Sequence, residues 1–459
     1  MKRAGPAATL GVLAAMLGAC STPRDDRPPI VVLTVDTLRH DFVGCYGDPA
    51  SRTPHLDRLA RGGVTFPDAV STTTWTLPSH LSLLTGQYPA SHGVVRDGQS
   101  LPEAKVTLAE FLSARGYATG GFVSGPYLHR AYGFAQGFDR YLHCVNYGEE
   151  LGDDGHVANV FRVNLRSHQG VTSPKLYAQV HAWLDVIRVG APYFLFVHHW
   201  DPHYDFLPES PWERVFDPGY TGAFRPEGFL ANRRIAPDMP VEDRKRLLDL
   251  YRGEVAYTDA WIGTLLARLR ERGEAERALV IVTADHGEEF FEHGRKGHRN
   301  NLYEETLRVP LIVRGGATFT GGAIVGAVAS LVDVFPTVAQ YLDDAAAPLE
   351  EIQGESLQVL ASGPPSRAVF AELHDRWFTV RFDGWKAIRD ANTEAEELYR
   401  LRDDPREMRD LRESRRAAFD SLATFLDAGE MARFAPSEVG EALVDTATEA
   451  ELRALGYTD

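Results

Sequence analysis

The sequence contains little cysteine and, after its first twenty residues, no long apolar segment. Three cysteines in 459 residues, Cys20, Cys45 and Cys144, are too few for a disulfide framework, and the sequence does not decide whether the last two pair. Because no later run reaches about 18 apolar residues, we expect no membrane-spanning helix in the body of the protein. The 41 glycines and 27 prolines follow no collagen period, and 24% charged with 10% aromatic residues is not a disordered composition.

Basic residues are outnumbered by acidic ones. Lysine and arginine together number 48, against 64 aspartates and glutamates, which gives a formal net charge of −16. Nonspecific binding to nucleic acid depends on basic side chains that neutralise phosphates, so we expect no nucleic-acid partner. Apolar residues make up 44% of the chain, enough for one large domain or two to three ordinary ones.

The N-terminus has the features of an export signal. Lys2 and Arg3 precede an apolar stretch over residues 7–19, and Cys20 follows directly. A charged segment followed by a short apolar one is typical of a signal peptide, and this apolar stretch is too short to span a bilayer.

Residues 17–20 (LGAC) resemble a bacterial lipobox. The resemblance implies that residues 1–19 are removed and that the Cys20 thiol carries lipid, and the alternative is an ordinary signal peptide that contains a cysteine. Ser21 in place of aspartate implies, by resemblance to sorted lipoproteins, the outer membrane. We therefore expect a lipid-anchored protein of the bacterial cell envelope, with residues 20–29 as a polar tether.

Short apolar runs alternate with helical patterns through most of the chain. The runs have the length and the β-branched composition of strands that are covered on both faces of a parallel sheet. They lie at residues 29–35, 193–197, 278–283 and 309–313. Helical periodicity separates them, as at 107–115 and 251–272. This alternation predicts a doubly wound α/β domain over residues 30–363.

The pattern changes after a turn signal at residues 362–365 (SGPP). Strand-like pieces follow, and then a charged, helix-like stretch. The strand-like pieces lie at 368–372, 377–381 and 385–389, and the helix-like stretch spans 404–426. We expect residues 364–459 to form a small α+β subdomain with a C-terminal tail.

Acidic and histidine side chains follow three of the predicted strands. Asp36 follows the first, residues 198–203 (HHWDPH) follow the second, and Asp285 with His286 follow the third. A single aspartate in such a position is commonly a helix cap or a turn residue. However, the carboxyl ends of parallel strands meet at one edge of a sheet, so these side chains together predict a divalent metal site.

Thr76 lies at the predicted start of a helix. Pro78 and Ser79 suit the first helical turn, and backbone N–H groups at such a terminus favour an anion near the Thr76 hydroxyl. Taken alone, this threonine is more simply a helix cap, because a threonine hydroxyl needs a metal or a base before it acts as a nucleophile.

Several segments together resemble the sulfatase branch of the alkaline phosphatase superfamily. They are residues 35–39 (VDTLR), 53–57 (TPHLD), 76–86, 92–93 (HG), 285–288 (DHGE) and 303–311. Their order and spacing agree with the family from about residue 30 to residue 342, and residues 397–405 resemble its C-terminal subdomain. The resemblance implies an alkaline-phosphatase-like mixed sheet with helices on both faces.

The resemblance also assigns roles at the site. It places Asp36, Asp285 and His286 on metal ligands and Thr76 on the nucleophile, which also touches the metal. Thr37 stands where many sulfatases have a second aspartate, so we expect one divalent ion, with zinc or manganese favoured over calcium.

Six histidines and one aspartate supply the remaining candidates. The resemblance places His203 and His298 where family members contact the ester oxygens or assist the leaving group, and His80 joins them as a catalytic candidate. Further candidates, as supporting residues or as ligands of a second metal, are His198, His199, Asp201 and His293.

The chain departs from sulfatases at the nucleophile. Sulfatases carry cysteine or serine there, followed by x-Pro-x-Arg, and the first residue is converted to formylglycine. Here Thr76 and His80 occupy the two positions, so no formylglycine is expected. A threonyl sulfate lacks the second hydroxyl that expels sulfate from formylglycine, whereas water attacks a phosphothreonine in line at phosphorus.

The sequence therefore predicts a metal-dependent hydrolase of phosphate or phosphonate esters that forms a covalent threonyl intermediate. The substrate is expected to be a small-molecule, glycan or lipid ester. The alternatives are an arylsulfatase-like hydrolase, a phosphoethanolamine-type head-group transferase and a non-catalytic, glycan-binding lipoprotein.

Overall fold

The computed structural model describes residues 25–144, 171–343, 351–363 and 367–427, together with the backbone of the short strand Gly440–Glu441.

In this part of the chain the α-helices are α1 Pro54–Gly62, α2 Thr76–Thr85, α3 Pro89–His92, α4 Leu108–Ser113, α5 Ser173–Val186, α6 Val241–Glu271, α7 Glu304–Leu307, α8 Val334–Tyr341, α9 Leu357–Ser362 and α10 Arg416–Leu426. The strands of the central sheet are β1 Ile30–Val35, β2 Val64–Thr65, β5 Ala118–Val123, β6 Arg140–His143, β7 Tyr193–His199, β8 Leu279–Ala284, β11 Leu311–Arg314 and β12 Ala323–Ile324. The short paired strands outside it are β3 Ala69–Val70, β4 Gln99–Ser100, β9 Glu289–Phe290, β10 Lys296–Gly297, β13 Ala329–Ser330 and β18 Gly440–Glu441.

The central sheet is mixed and mostly parallel. Its strand order is β12-β2-β11-β8-β1-β7-β5-β6. β1 lies in the middle and pairs in parallel with both β7 and β8, while β11 runs antiparallel to β8 and to β2. The carboxyl ends of β1, β7 and β8 therefore meet at one edge of the sheet.

Both faces of this sheet are covered. Every side chain of β1, β7 and β8 is buried, and because successive side chains of a strand point to opposite faces, neither face meets solvent there. α5 packs on β5 and α1 packs on β11. The prediction of a doubly wound α/β architecture is confirmed.

A separate antiparallel sheet follows in the C-terminal region. Its strands, in the order of their pairing, are β14 Val369–Leu373, β15 Trp377–Phe382, β16 Trp385–Asp390 and β17 Ala395–Arg400. α10 packs on β15 and β16 through its buried Phe419, Leu422 and Leu426. The predicted α+β character is confirmed, although the helix occupies only the last part of the expected 404–426 stretch, and residues 404–415 form turns.

Two other predicted boundaries are wrong. β7 extends through His199, so His198 and His199 belong to the strand and do not follow it. α6 begins at Val241, ten residues before the predicted start, because its first three turns carry mostly charged residues and lack an apolar periodicity.

Cys45 and Cys144 are both free thiols. No helix in the described part of the chain is long and apolar enough to cross a bilayer. Residues 1–24, which include Cys20 and the predicted lipobox, lie outside the described residues, as do segments of the predicted 364–459 subdomain.

Candidate metal centre and active site

Two carboxylates and an imidazole meet where β1 and β8 end. In the parallel register of these strands Val35 lies opposite Ala284, so the next residues, Asp36 and Asp285, leave the sheet side by side. Both are fully buried, as is His286. One ligand atom from each of these three side chains lies within 4.8 Å of the other two.

The two carboxylates have oxygen atoms that the protein leaves unpaired. Oδ1 of Asp285 accepts hydrogen bonds from the backbone N–H of Thr37, at 3.1 Å, and of His286, at 2.9 Å. This fixes the carboxylate, while Oδ2 of Asp285 and Oδ1 of Asp36 are buried without a hydrogen-bond partner. Because an unpaired buried oxygen of this kind is costly, the pair fits a bound cation.

The ring of His286 is oriented for ligation. Its Nδ1–H donates to the carbonyl of Gly287 at 2.9 Å, which leaves the lone pair on Nε2. That nitrogen lies 3.2 Å from the Thr76 hydroxyl and 3.3 Å from Oδ2 of Asp285. A backbone acceptor on the other ring nitrogen is the usual support of a metal-binding histidine.

Thr76 is brought to this cluster by the start of α2. The helix begins at Thr76 itself, and the Ser79 hydroxyl, one turn later, donates to the carbonyl of Asp285 at 2.7 Å. This bond ties the helix start to the end of β8. The buried Thr76 hydroxyl also contacts the Asp36 carboxylate, so it lies between two candidate ligands.

Negative charge is concentrated at the cluster. Burial raises the pKa of Asp36 well above its ordinary value, and the neighbouring carboxylates of Asp285 and Glu288 raise it further. Like charges in a dry site disfavour joint ionisation. A divalent cation would offset this repulsion, and a donor set of carboxylate, imidazole and hydroxyl suits zinc or manganese.

His198 supports Asp36 from the adjacent strand. Burial, and then the neighbouring His80 and His199, lowers the pKa of His198 well below its ordinary value, so the ring is neutral. Its Nε2–H donates to Oδ2 of Asp36 at 3.2 Å, while its Nδ1 is buried without a hydrogen-bond partner. His198 therefore orients one of the candidate ligands.

His80 lies beside the cluster but has both ring nitrogens engaged. Its Nδ1–H donates to the Thr76 carbonyl at 2.8 Å, and its Nε2 accepts from the Thr34 hydroxyl at 3.0 Å. Nδ1 is 3.7 Å from Oδ2 of Asp285. The ring thus holds the helix start against β1, which is a positioning role for a residue that the sequence suggested as catalytic.

His203 and His298 cover the cluster from the loops. The ring centre of His298 lies 4.4 Å from that of His286 and 5.2 Å from that of His203, which stacks on Trp200 at 3.8 Å. Nδ1 of His298 lies 3.3 Å from a carboxylate oxygen of Glu288. His298 is therefore next to His286, and His203 lies behind His298, one ring further from the cluster.

Two of the further candidates have structural partners. His199 hydrogen-bonds the Thr34 carbonyl at 3.0 Å and the Tyr177 hydroxyl at 2.7 Å. Asp201 accepts from the backbone N–H and the hydroxyl of Ser173, at 3.0 and 2.6 Å, and so caps the start of α5.

His293 lies away from the cluster. Its Nδ1 is 2.7 Å from a carboxylate oxygen of Glu305, its Nε2 is 3.3 Å from the carbonyl of Glu407, and its ring stacks on Tyr303 at 3.6 Å. These contacts join the loop after β9 to the C-terminal region.

Glu288 was not predicted as a site residue. It is fully buried, and burial raises its pKa well above the ordinary value. Glu288 is the last residue of the DHGE segment, two residues after His286. This closeness to a candidate ligand is the sequence feature that could have pointed to it. Its contact with His298 depends on a loop that brings residues ten positions apart together.

Comparisons with known proteins identify the family and the fold of this chain. The family model described as Sulfatase matches residues 28–344. An ulvan-active sulfatase of Formosa agariphila is 28% identical over 362 residues, which cover 74% of this chain and 66% of that protein. A steryl-sulfatase of Mus musculus is 30% identical over 435 residues, which cover 79% and 69%. The chain thus spans about two thirds of the length of these relatives.

Among solved structures, the phosphonate monoester hydrolase of Agrobacterium radiobacter superposes with a TM-score of 0.71. The two chains are 22% identical, and the match covers 89% of this chain and 96% of that one. The likeness confirms the expected alkaline-phosphatase-like fold.

Proposed function

The chain belongs to the sulfatase family, and from this premise we propose that it is a metal-dependent hydrolase of phosphate or phosphonate esters, with Thr76 as the nucleophile. The observation that carries the proposal is the position of the Thr76 hydroxyl, 3.2 Å from Nε2 of His286 and in contact with the Asp36 carboxylate.

One divalent cation would be held by Asp36, Asp285, His286 and Thr76. The unpaired oxygens of the two aspartates support this assignment, and the nitrogen among the donors favours zinc or manganese over calcium. When bound, such an ion would lower the pKa of the Thr76 hydroxyl, whose proton would pass to solvent, and would offset charge that develops on the ester oxygens.

In the first step the Thr76 oxygen attacks phosphorus. The bond between Thr76 and phosphorus forms as the bond between phosphorus and the leaving oxygen breaks. His298, held by Glu288, donates a proton to that leaving oxygen, and His203 hydrogen-bonds a non-bridging oxygen.

In the second step water releases the phosphoryl group. The water oxygen attacks phosphorus in line, its proton passes to the now neutral His298, and the bond between phosphorus and Thr76 breaks. The products are an alcohol and a phosphate or phosphonate, and both His298 and Thr76 return to their starting states.

We favour hydrolysis of phosphorus esters over hydrolysis of sulfate esters because the proposed nucleophile is a threonine. A threonyl sulfate offers no second hydroxyl to expel sulfate, and no formylglycine is expected where Thr76 and His80 replace the residues that signal its formation. A phosphothreonine, in contrast, is open to direct attack by water.

Sulfate ester hydrolysis is the second candidate. The relatives named as an ulvan-active sulfatase and a steryl-sulfatase favour it. In this case Thr76 would transfer a sulfuryl group instead, or a water would attack sulfur directly.

The test is turnover of aryl phosphate, aryl phosphonate, phosphodiester and aryl sulfate by the purified protein loaded with zinc or manganese. Thr76→Ala should abolish hydrolysis while metal content is retained. Thr74→Ala is the matched control, because Thr74 is an equally buried threonine that hydrogen-bonds the Asn301 carbonyl. An active Thr76→Ala variant would overturn the mechanism, and faster turnover of sulfate would reverse the preference for phosphorus.

We also propose that lipid on Cys20 anchors the protein to the outer membrane. Residues 25–29 lead into the N-terminal end of β1, and the site lies at the other end of that six-residue strand, about 20 Å away. A tether at that end would leave the site facing away from the bilayer. Cys20→Ala should move the protein from the membrane fraction to the soluble periplasmic fraction, and unchanged membrane association would contradict the anchor.

A further inference from the structure

An arginine-rich cleft is lined by segments that follow two of the candidate metal ligands. Its volume is about 530 Å³, and four arginines line it, Arg39, Arg244, Arg252 and Arg406. Two of its walls are the segments that follow the candidate ligands Asp36 and His286. Nη1 of Arg39 donates to the carbonyl of Glu288 at 2.9 Å, and the side chain of Glu288 contacts His298. The cleft and the site therefore share one segment of backbone.

Two of the four arginines are neutralised by carboxylates. Arg39 pairs with Asp41 at 2.8 Å and with Glu292 at 2.5 Å. Arg252 pairs with Asp48 at 3.3 Å. Asp41, Asp48 and Glu292 are the three acidic residues that line the cleft. Each of them is paired with Arg39 or Arg252.

Arg244 and Arg406 are the other two. Neither has a carboxylate partner among the residues that the structure describes. The guanidinium of Arg244 lies over the ring of Phe291, 5.0 Å from its centre, and its Nε is buried without a hydrogen-bond partner. Arg406 is exposed at the cleft. A chain with a net charge of −16 thus has, in the part that the structure describes, two arginines in this cleft without a carboxylate partner.

We propose that this cleft binds a second oxyanion of the substrate, a sulfate or phosphate group other than the one that is hydrolysed. A guanidinium group is suited to tetrahedral oxyanions, because its N–H donors form paired, charge-assisted hydrogen bonds with their oxygens. The proposal rests on the proposed ester hydrolysis and narrows its substrate to polyanions, such as a glycan with several sulfate or phosphate groups. Arg244 and Arg406 are then specificity-determining residues.

Binding is measured by calorimetry in the Thr76→Ala background, so that turnover does not interfere and a failed hydrolase proposal does not affect the result. The probes are inorganic sulfate, inorganic phosphate and a multiply sulfated tetrasaccharide. Arg244→Gln with Arg406→Gln should weaken tetrasaccharide binding about tenfold, from the loss of charge-assisted hydrogen bonds. Arg409→Gln with Arg415→Gln is the control, because it removes the same charge from exposed arginines outside the cleft.

In the active enzyme the same double substitution should raise KM for a multiply charged ester about tenfold and leave kcat unchanged. KM for a small aryl ester with one anionic group should stay the same. Equal losses in the cleft and control variants would overturn the proposal, as would unchanged affinity for all three probes. If the arginine substitutions weaken binding of inorganic sulfate or phosphate, and the tetrasaccharide binds no more tightly than these ions, the cleft is a site for free anions. That result would overturn its role in substrate binding.

Discussion

The Thr76 hydroxyl lies 3.2 Å from Nε2 of His286, although 210 residues separate the two along the chain. The contact exists because α2 starts at Thr76 and β8 ends just before Asp285, and the hydrogen bond from Ser79 to the Asp285 carbonyl joins these two ends. Nε2 bears the lone pair of its ring. The proposed nucleophile and a candidate metal ligand therefore lie together, buried at the edge of the sheet.

Removal of the divalent ion should abolish hydrolysis. Oδ1 of Asp36 and Oδ2 of Asp285 are buried without a hydrogen-bond partner among the described residues, so we expect one tightly held ion per chain. Dialysis against a chelator followed by elemental analysis should give a metal-free, inactive protein, and zinc or manganese should restore turnover better than calcium. Full activity without metal would contradict the assigned ligands.

Substitution of His198 should weaken metal binding without removing a ligand. Its Nε2–H orients the Asp36 carboxylate, and loss of such a supporting residue typically lowers metal affinity about 10- to 100-fold. His198→Ala is therefore expected to show this loss in a competitive metal titration. His199→Ala, in the same strand, should reduce thermal stability through its lost hydrogen bonds and leave metal affinity unchanged. A similar loss in both variants would assign His198 a general structural role.

His298 should matter most for poor leaving groups. If it protonates the leaving oxygen, His298→Ala should lower kcat about a hundredfold or more for an alkyl phosphate and far less for a nitrophenyl phosphate, whose leaving group needs no proton. A series of phenols of rising pKa would give a steeper dependence on leaving-group pKa in the variant. His293→Ala, whose ring contacts Glu305 and Tyr303 outside the site, should follow the wild-type dependence. Parallel slopes for wild type and His298→Ala would contradict the acid role.

Stability should depend on pH through His293. Burial lowers the pKa of this ring, but the hydrogen bond and charge of Glu305 outweigh burial and raise the pKa to about 9. The folded protein therefore binds this proton more tightly than the unfolded chain does. The resulting stabilisation is complete below about pH 6.5 and is lost as the pH rises to about 9. Thermal unfolding of wild type between these pH values should show a steeper decline than that of His293→Ala, and identical slopes would contradict the assignment.

The positions of the candidate ligands Asp36 and Asp285 can be predicted from the sequence because their signal is local. Asp36 and Asp285 each follow a short apolar strand, and the parallel order of strands brings them together. β5 gave no such signal, because Gly120 and Gly121 interrupt its apolar pattern. A Cβ at these positions would lie 2.8 Å from Trp183 and 2.6 Å from Tyr141, so close packing of aromatic rings against the strand requires glycine there.

The rest of the site depends on hydrogen bonds between distant segments. The sequence offers His198 as one of several supporting candidates, but it does not identify Asp36 as its partner, since the strand continues two residues beyond its apolar run. His80 has both nitrogens bound to Thr76 and Thr34, a geometry that a motif does not encode. Likewise, Arg39, Arg244 and Arg406 come from three separate parts of the chain, and no periodicity places them in one cleft.

The stereochemistry at phosphorus tests the central claim, that Thr76 is the nucleophile, most directly. The substrate is a phosphate monoester made chiral with oxygen isotopes, and the configuration of the released phosphate is read by phosphorus nuclear magnetic resonance. Two in-line displacements, first by Thr76 and then by water, predict retention of configuration. Inversion would mean that water attacks the substrate in a single step, and it would contradict a covalent threonyl intermediate.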